Sequence, residues 1–128
     1  MRVLLDTHVW LWFLFADSRL AKTHRAIIED EQSELMLSAI SVWELHLLVE
    51  KRRIPVNDPK SWLQNAFAIL PVSEAPITFA IAQHSRHLPL PHQDPADRFI
   101  AATAVEMRIP LMTVDSHLLA CTEIQFIR

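Results

Sequence analysis

Short apolar runs alternate along the chain with longer amphipathic stretches, and the runs stop abruptly. Val3-Leu4-Leu5 ends at Asp6-Thr7, Leu35-Met36-Leu37 at Ser38, and Leu111-Met112-Thr113-Val114 at Asp115. Such runs suit central parallel strands whose carboxyl ends face a crevice. The stretches between them read as helices. One from His8 to Phe15 is crowded with Trp10, Trp12, Phe13 and Phe15, which belong in the core or against another chain. Asp17 or Ser18 caps a second through about Asp30, with Leu20, Ala21, Ile27 and Ile28 inward. A third fits a capping box, Ser41 as N-cap and Glu44 at N3, and ends in the basic Lys51-Arg52-Arg53. Asp58-Pro59 opens a fourth, with Trp62, Leu63, Ala66 and Phe67 as its buried stripe. Leu70 to Val72 makes a weak strand or a link, and Ser73 caps a fifth helix through about His84. Asp94-Pro95 opens a sixth, whose apolar residues from Ala96 to Met107 are dense enough to bury most of it. Ser116 to Ala120 gives a helical turn and Ile124 to Ile127 a terminal strand. Strands alternating with helices predict a single three-layer α/β/α domain over residues 1–128, with a mostly parallel central sheet.

At 128 residues such a domain needs no staples, since it buries about two-thirds of the surface its unfolded chain exposes. The lone Cys121 excludes an internal disulfide framework. No run is long and apolar enough for a membrane span, and Met1-Arg2 leads straight into a strand pattern, so a soluble cytoplasmic protein is expected. There is no glycine, which removes the Gly-rich phosphate cradles and the serine-hydrolase elbow. The net charge of −3 does not suggest a general nucleic-acid binder, although it leaves local basic clusters at Lys51-Arg52-Arg53 and at Arg98.

The acids carry the chemistry. Asp94, Asp97 and Glu44 stand where helix caps stand, and a cap contributes about 1 kcal/mol. Asp6 and Asp115 instead end apolar strands, though each can cap the short helix after it. If those strands are parallel neighbours, Asp6 and Asp115 meet at one sheet edge, and the helix bearing Asp97 begins near both. Like charges at 4 Å cost about 4 kcal/mol per pair at an effective dielectric of 20. A hard divalent cation turns that cost into binding energy, and the substrate most often handled this way is a phosphodiester.

Four ordered blocks resemble PIN-domain ribonucleases, and among them the VapC toxins of toxin–antitoxin pairs. They are Leu4-Leu5-Asp6-Thr7-His8, Ser38 to Leu45, His92 to Ala101, and Leu111-Met112-Thr113-Val114-Asp115. The resemblance implies an endoribonuclease dependent on Mg²⁺ or Mn²⁺, held by Asp6, Glu44, Asp97 and Asp115 as metal ligands and catalytic acids. It implies supporting roles for Thr7, Asp94 and Thr113; the candidates for RNA contacts are the local basic residues Lys51, Arg52, Arg53 and Arg98. It also implies a homodimer and an antitoxin whose tail blocks the acidic crevice, with Trp10 and Trp12 bordering the antitoxin groove or the dimer interface. The chain departs from the family after Glu44, where a glycine turn is common and Lys51-Arg52-Arg53 stands here.

Other readings fit less well. His84, His87 and His92 lack cysteine partners and a fourth ligand for zinc. A receiver-type phospho-acceptor lacks its lysine after a late strand, and a haloacid-dehalogenase-like phosphatase lacks an acid at His8. The remaining alternative is a catalytically weak PIN-fold binding module that acts through a protein partner.

Overall fold

In the computed structural model, residues 1–91 and 93–127 are described. His92, counted above in one acidic block and in the zinc alternative, lies outside them. The elements run β1 (Arg2–Leu5), α1 (Thr7–Leu14), α2 (Lys22–Glu29), β2 (Glu34–Ser38), α3 (Ala39–Glu50), α4 (Pro59–Ile69), β3 (Ser73–Ala75), α5 (Phe79–Ser85), α6 (Pro95–Met107), β4 (Leu111–Met112) and α7 (Ser116–Leu119). The four strands form one sheet in the order β3-β2-β1-β4, with every pair parallel.

Alternation along the central strands builds the layers. Leu4 and Met36 point to one face, into a core with Ile81 of α5, Ile100 and Ala101 of α6, and Leu118 of α7. Val3, Leu5, Leu35 and Leu37 point to the other, packing with Val9 and Trp10 of α1, Ile28 of α2, Leu45 of α3 and Ala66 of α4. A period of two places successive side chains on opposite faces, so strands apolar at every position are covered on both sides by helices. The three-layer α/β/α expectation therefore holds, with a sheet that is parallel throughout.

Several local expectations need correction. Neither Asp17 nor Ser18 caps α2: Asp17 closes a tight turn by accepting the Arg19 amide and guanidinium, and α2 starts behind Ala21 without a side-chain cap. Ser73 opens no helix but begins β3, the edge strand on β2, and α5 is capped later by Thr78 through the Ile81 amide. The terminal strand is reduced to one parallel bridge between Leu111 and Phe126. Trp10 is wholly buried, packed edge-on to Trp62 and beside Phe67, so it borders no groove or interface. Its size and apolar ring are spent on the core.

Without glycine, other residues take the left-handed positions that end helices. Arg52 has φ 55° just past α3, and Arg108 has φ 55° at the end of α6. The glycine turn expected after Glu44 is thus made by an arginine, at a cost of about 1–2 kcal/mol for its Cβ.

Candidate metal and RNA site

β1 and β4 are parallel neighbours, pairing Leu4 with Leu111 and Leu5 with Met112, so both strands end at the same edge. The Asp6 amide extends the ladder by donating to the Met112 carbonyl at 3.0 Å. Asp6 is therefore fixed at the root of the crevice, only 4% exposed. Both its carboxylate oxygens are held: Oδ1 accepts from the Thr7 amide at 2.8 Å, and Oδ2 from the Thr113 hydroxyl at 2.7 Å. The Thr113 oxygen in turn accepts the Asp115 amide at 3.1 Å, tying the two strand-end acids together through one hydroxyl. Asp115 caps α7 by accepting the His117 and Leu118 amides.

Burial pushes the Asp6 carboxyl above the usual carboxylate range, with the Asp115 charge adding to the rise and the Thr113 hydroxyl, nearby His8 and the Thr7 amide opposing it. His8 is exposed beside Asp6 and was not anticipated as a site residue. No spacing rule marks it; its place follows only from α1 beginning immediately after Asp6.

Glu44 gives a second correction. The cap of α3 is Ser38, which accepts the Ile40 amide, so Ser41 and Glu44 form no capping box. Ser38 ends the strand and Ser41 follows it by a single helical turn, which is why the pattern admitted either. The result frees Glu44 from a capping role and places it in the second turn of α3. Ser41 is buried and shares a 2.7 Å hydrogen bond with the Thr7 hydroxyl, pinning the first turn of α3 to that of α1. Burial raises the Glu44 carboxyl too; the Thr7 hydroxyl and His8 oppose the rise, while Asp6 and Asp94 add to it. Glu44 Oε1 is buried with no hydrogen-bond partner.

Asp94 caps α6 through the Ala96 amide at 3.0 Å, and Asp97 lies half-buried in the first turn. Packing of α3 against α6 brings Asp94 within electrostatic reach of Glu44. The fold thus links Asp115 to Asp6, Asp6 to Glu44, and Glu44 to Asp94 as facing like charges. As the side chains stand, no three His, Cys, Asp or Glu residues among those described come close enough together to enclose an ion. By donor chemistry the set fits a hard cation. It consists of carboxylate oxygens, two of its acids are held above their ordinary range, and one buried oxygen has no partner.

The basic residues divide. Lys51 and Arg53 are exposed and line a groove of about 380 Å³ with Glu44 and Asp94, and Arg52 is exposed between them. Arg98 is 6% exposed, and its guanidinium donates to the carbonyls of Ser85, Leu88 and Leu90. It fastens the connector before α6 and cannot reach RNA, because the side chain is buried and both terminal nitrogens are bonded to carbonyls.

A parallel sheet ending in an acidic edge between two helical layers defines a PIN-domain protein; the family model of the PIN domain matches residues 3–122, and the chain belongs to that family. Within it the chain is a homologue of the VapC ribonucleases. It is 40% identical to Ribonuclease VapC22 of Mycobacterium tuberculosis over 118 residues, covering 91% of this chain and 88% of the relative. The fold matches a chain of the VapBC2 complex of Rickettsia felis bound to a promoter DNA fragment, with a TM-score of 0.72, 15% identity, and 99% and 98% of the two chains covered. It also matches FitAcB of Neisseria gonorrhoeae with a TM-score of 0.62, 23% identity, and 98% and 96% covered. PIN-domain ribonucleases are generally dependent on a divalent metal. No helix among the described residues is long and apolar enough to cross a membrane.

Proposed function

We propose that the chain is an endoribonuclease dependent on Mg²⁺ or Mn²⁺ and the toxin half of a toxin–antitoxin pair. The observation that carries this is Asp6: a carboxylate buried at a strand end, held at both oxygens and set against Asp115 and Glu44. Burying a charge among like charges is costly, so an arrangement built to hold it there supports a cation as its partner. The 40% identity to a ribonuclease over most of the chain supports RNA as substrate.

Asp6, Glu44, Asp97 and Asp115 would hold the ion. When bound, Mg²⁺ or Mn²⁺ neutralises phosphate oxygens and acidifies a water that can attack the phosphodiester in line. The protein orients these groups. The Thr7 amide and the Thr113 hydroxyl fix the Asp6 carboxylate, and the Thr7 hydroxyl lies beside Glu44. Asp94 fixes the start of α6, and with it Asp97 in the first turn. Lys51 and Arg53 line the groove, with Arg52 exposed between them, to take flanking phosphates. The reading includes a single domain over residues 1–128, a cytoplasmic setting, a homodimer, and a cognate antitoxin that covers the acidic edge.

The test is incubation of total RNA with purified protein and Mn²⁺, beside Asp6→Asn, Glu44→Gln and Asp97→Asn. Cleavage by the wild type alone is expected; equal cleavage by all of them would assign it to another site. That no three His, Cys, Asp or Glu residues among those described stand close enough to share one ion favours a second reading, a catalytically weak module acting through a protein partner. Wild-type protein that leaves RNA intact in Mn²⁺ yet binds its antitoxin would select that reading.

A further inference from the structure

A large aromatic ring left in water beside a charged groove is open to a ligand, because covering it releases hydrating water. Ring contacts among the described residues tie down three tryptophans: Trp10 meets Trp62 and Phe67, Trp62 also stacks on Phe15, and Trp12 lies under the Arg19 guanidinium. Trp43 takes no part in them and is 49% exposed. It immediately precedes Glu44 on α3 and lines the same groove of about 380 Å³, together with Lys51, Arg53, Asp94 and Pro95. The groove therefore carries the acids Glu44 and Asp94, the cations Lys51 and Arg53, and an open indole.

We infer that Trp43 is the stacking platform for an unpaired base of the RNA next to the scissile phosphate. This deepens the ribonuclease reading above and rests on it. Lys51 and Arg53 supply the charge complementarity to a backbone, and an aromatic face takes any base that is not already stacked in a duplex. Bases inside an A-form helix are shielded, so paired RNA meets the groove without using the ring.

The test measures binding of a labelled, unstructured oligoribonucleotide by the full chain in EDTA, with strand integrity checked on a gel. Trp43→Ala is expected to weaken affinity about 5- to 150-fold, the range for one lost base–aromatic stack. Trp43→Leu, apolar without a ring, is expected to behave like Trp43→Ala, whereas Trp43→Phe keeps most of the affinity. A duplex of the same sequence is bound more weakly than the single strand by the wild type and equally by wild type and Trp43→Ala. Unchanged single-strand affinity in Trp43→Ala overturns the proposal. So does unchanged affinity with a fall in molecular mass, which assigns the exposed ring to contact with a second copy. RNA left uncut by the wild type after Mn²⁺ is added overturns the ribonuclease reading itself, whatever Trp43 does to affinity.

Discussion

Replacing Thr113 by valine keeps the shape of the side chain and removes one hydroxyl that makes two contacts. Thr113 is 3% exposed, donates to Asp6 Oδ2 at 2.7 Å and accepts the Asp115 amide at 3.1 Å. A hydrogen bond to a charged group contributes about 1.5–3 kcal/mol, and the Asp115 amide left without its acceptor adds about 1 kcal/mol. The metal-free chain should thus lose about 2.5–4 kcal/mol at a pH above the raised Asp6 value, where Asp6 is charged. The pH dependence follows from the direction of the Asp6 shift. A carboxyl raised in the folded state binds its proton more tightly there, so its stabilising contribution is complete below the unfolded value of about 3.9 and is lost as pH climbs through the folded value. The Thr113 hydroxyl opposes that loss by favouring the charged form. Below the folded value Asp6 is protonated, and the same contact is an ordinary hydrogen bond of about 0.5–1.5 kcal/mol. Urea unfolding of wild type and Thr113→Val across this range should show a cost that grows by about 1 kcal/mol from low to high pH, with an unchanged m-value. A cost independent of pH, or below about 0.5 kcal/mol throughout, would refute the link between this hydroxyl and the Asp6 charge.

Glu44→Gln should stabilise the metal-free chain at neutral pH, since Glu44 is raised like Asp6 and its burial penalises the charged form; thermal unfolding that shows the variant less stable would contradict this. Arg98→Ala should cost at least about 3 kcal/mol, because three carbonyls lose their donors, while RNA affinity per folded molecule stays the same; urea unfolding and anisotropy separate the two. Lys51→Gln with Arg53→Gln should lower the slope of log affinity against log salt for single-stranded RNA by about 1.4, the value for two phosphate contacts, and an unchanged slope removes both from the interface.

The layers and the acidic edge were legible because they rest on patterns the chain states locally. Runs such as Val3-Leu4-Leu5 need cover on both faces, and parallel strands that end together at Leu5 and Met112 present the acids that follow them, Asp6 and Asp115, at one edge. Asp58-Pro59 and Asp94-Pro95 opened helices as expected, since a carboxylate cap followed by a residue without an N–H is a strictly local device. What failed depended on distant partners. Ser73 reads as a cap until β2 offers a parallel edge to pair with. Arg98 reads as a surface cation until the connector's carbonyls fold over it, and Trp10 as either a core or an interface residue until Trp62 arrives from α4. Trp43 and His8 gave no signal, because exposure beside a charged site is a property of the assembled surface.

The central claim, that the acidic edge holds a divalent cation, is met most directly by calorimetric titration of Mn²⁺ into the wild type and into Asp6→Asn near neutral pH. Saturable binding is expected in the wild type, with protons released in growing number as pH is lowered, because Asp6 and Glu44 are both held above the usual carboxylate range and must give up protons to become ligands. The Asp6→Asn protein should take up no ion. The same isotherm in both proteins, or no binding by the wild type, would contradict the account.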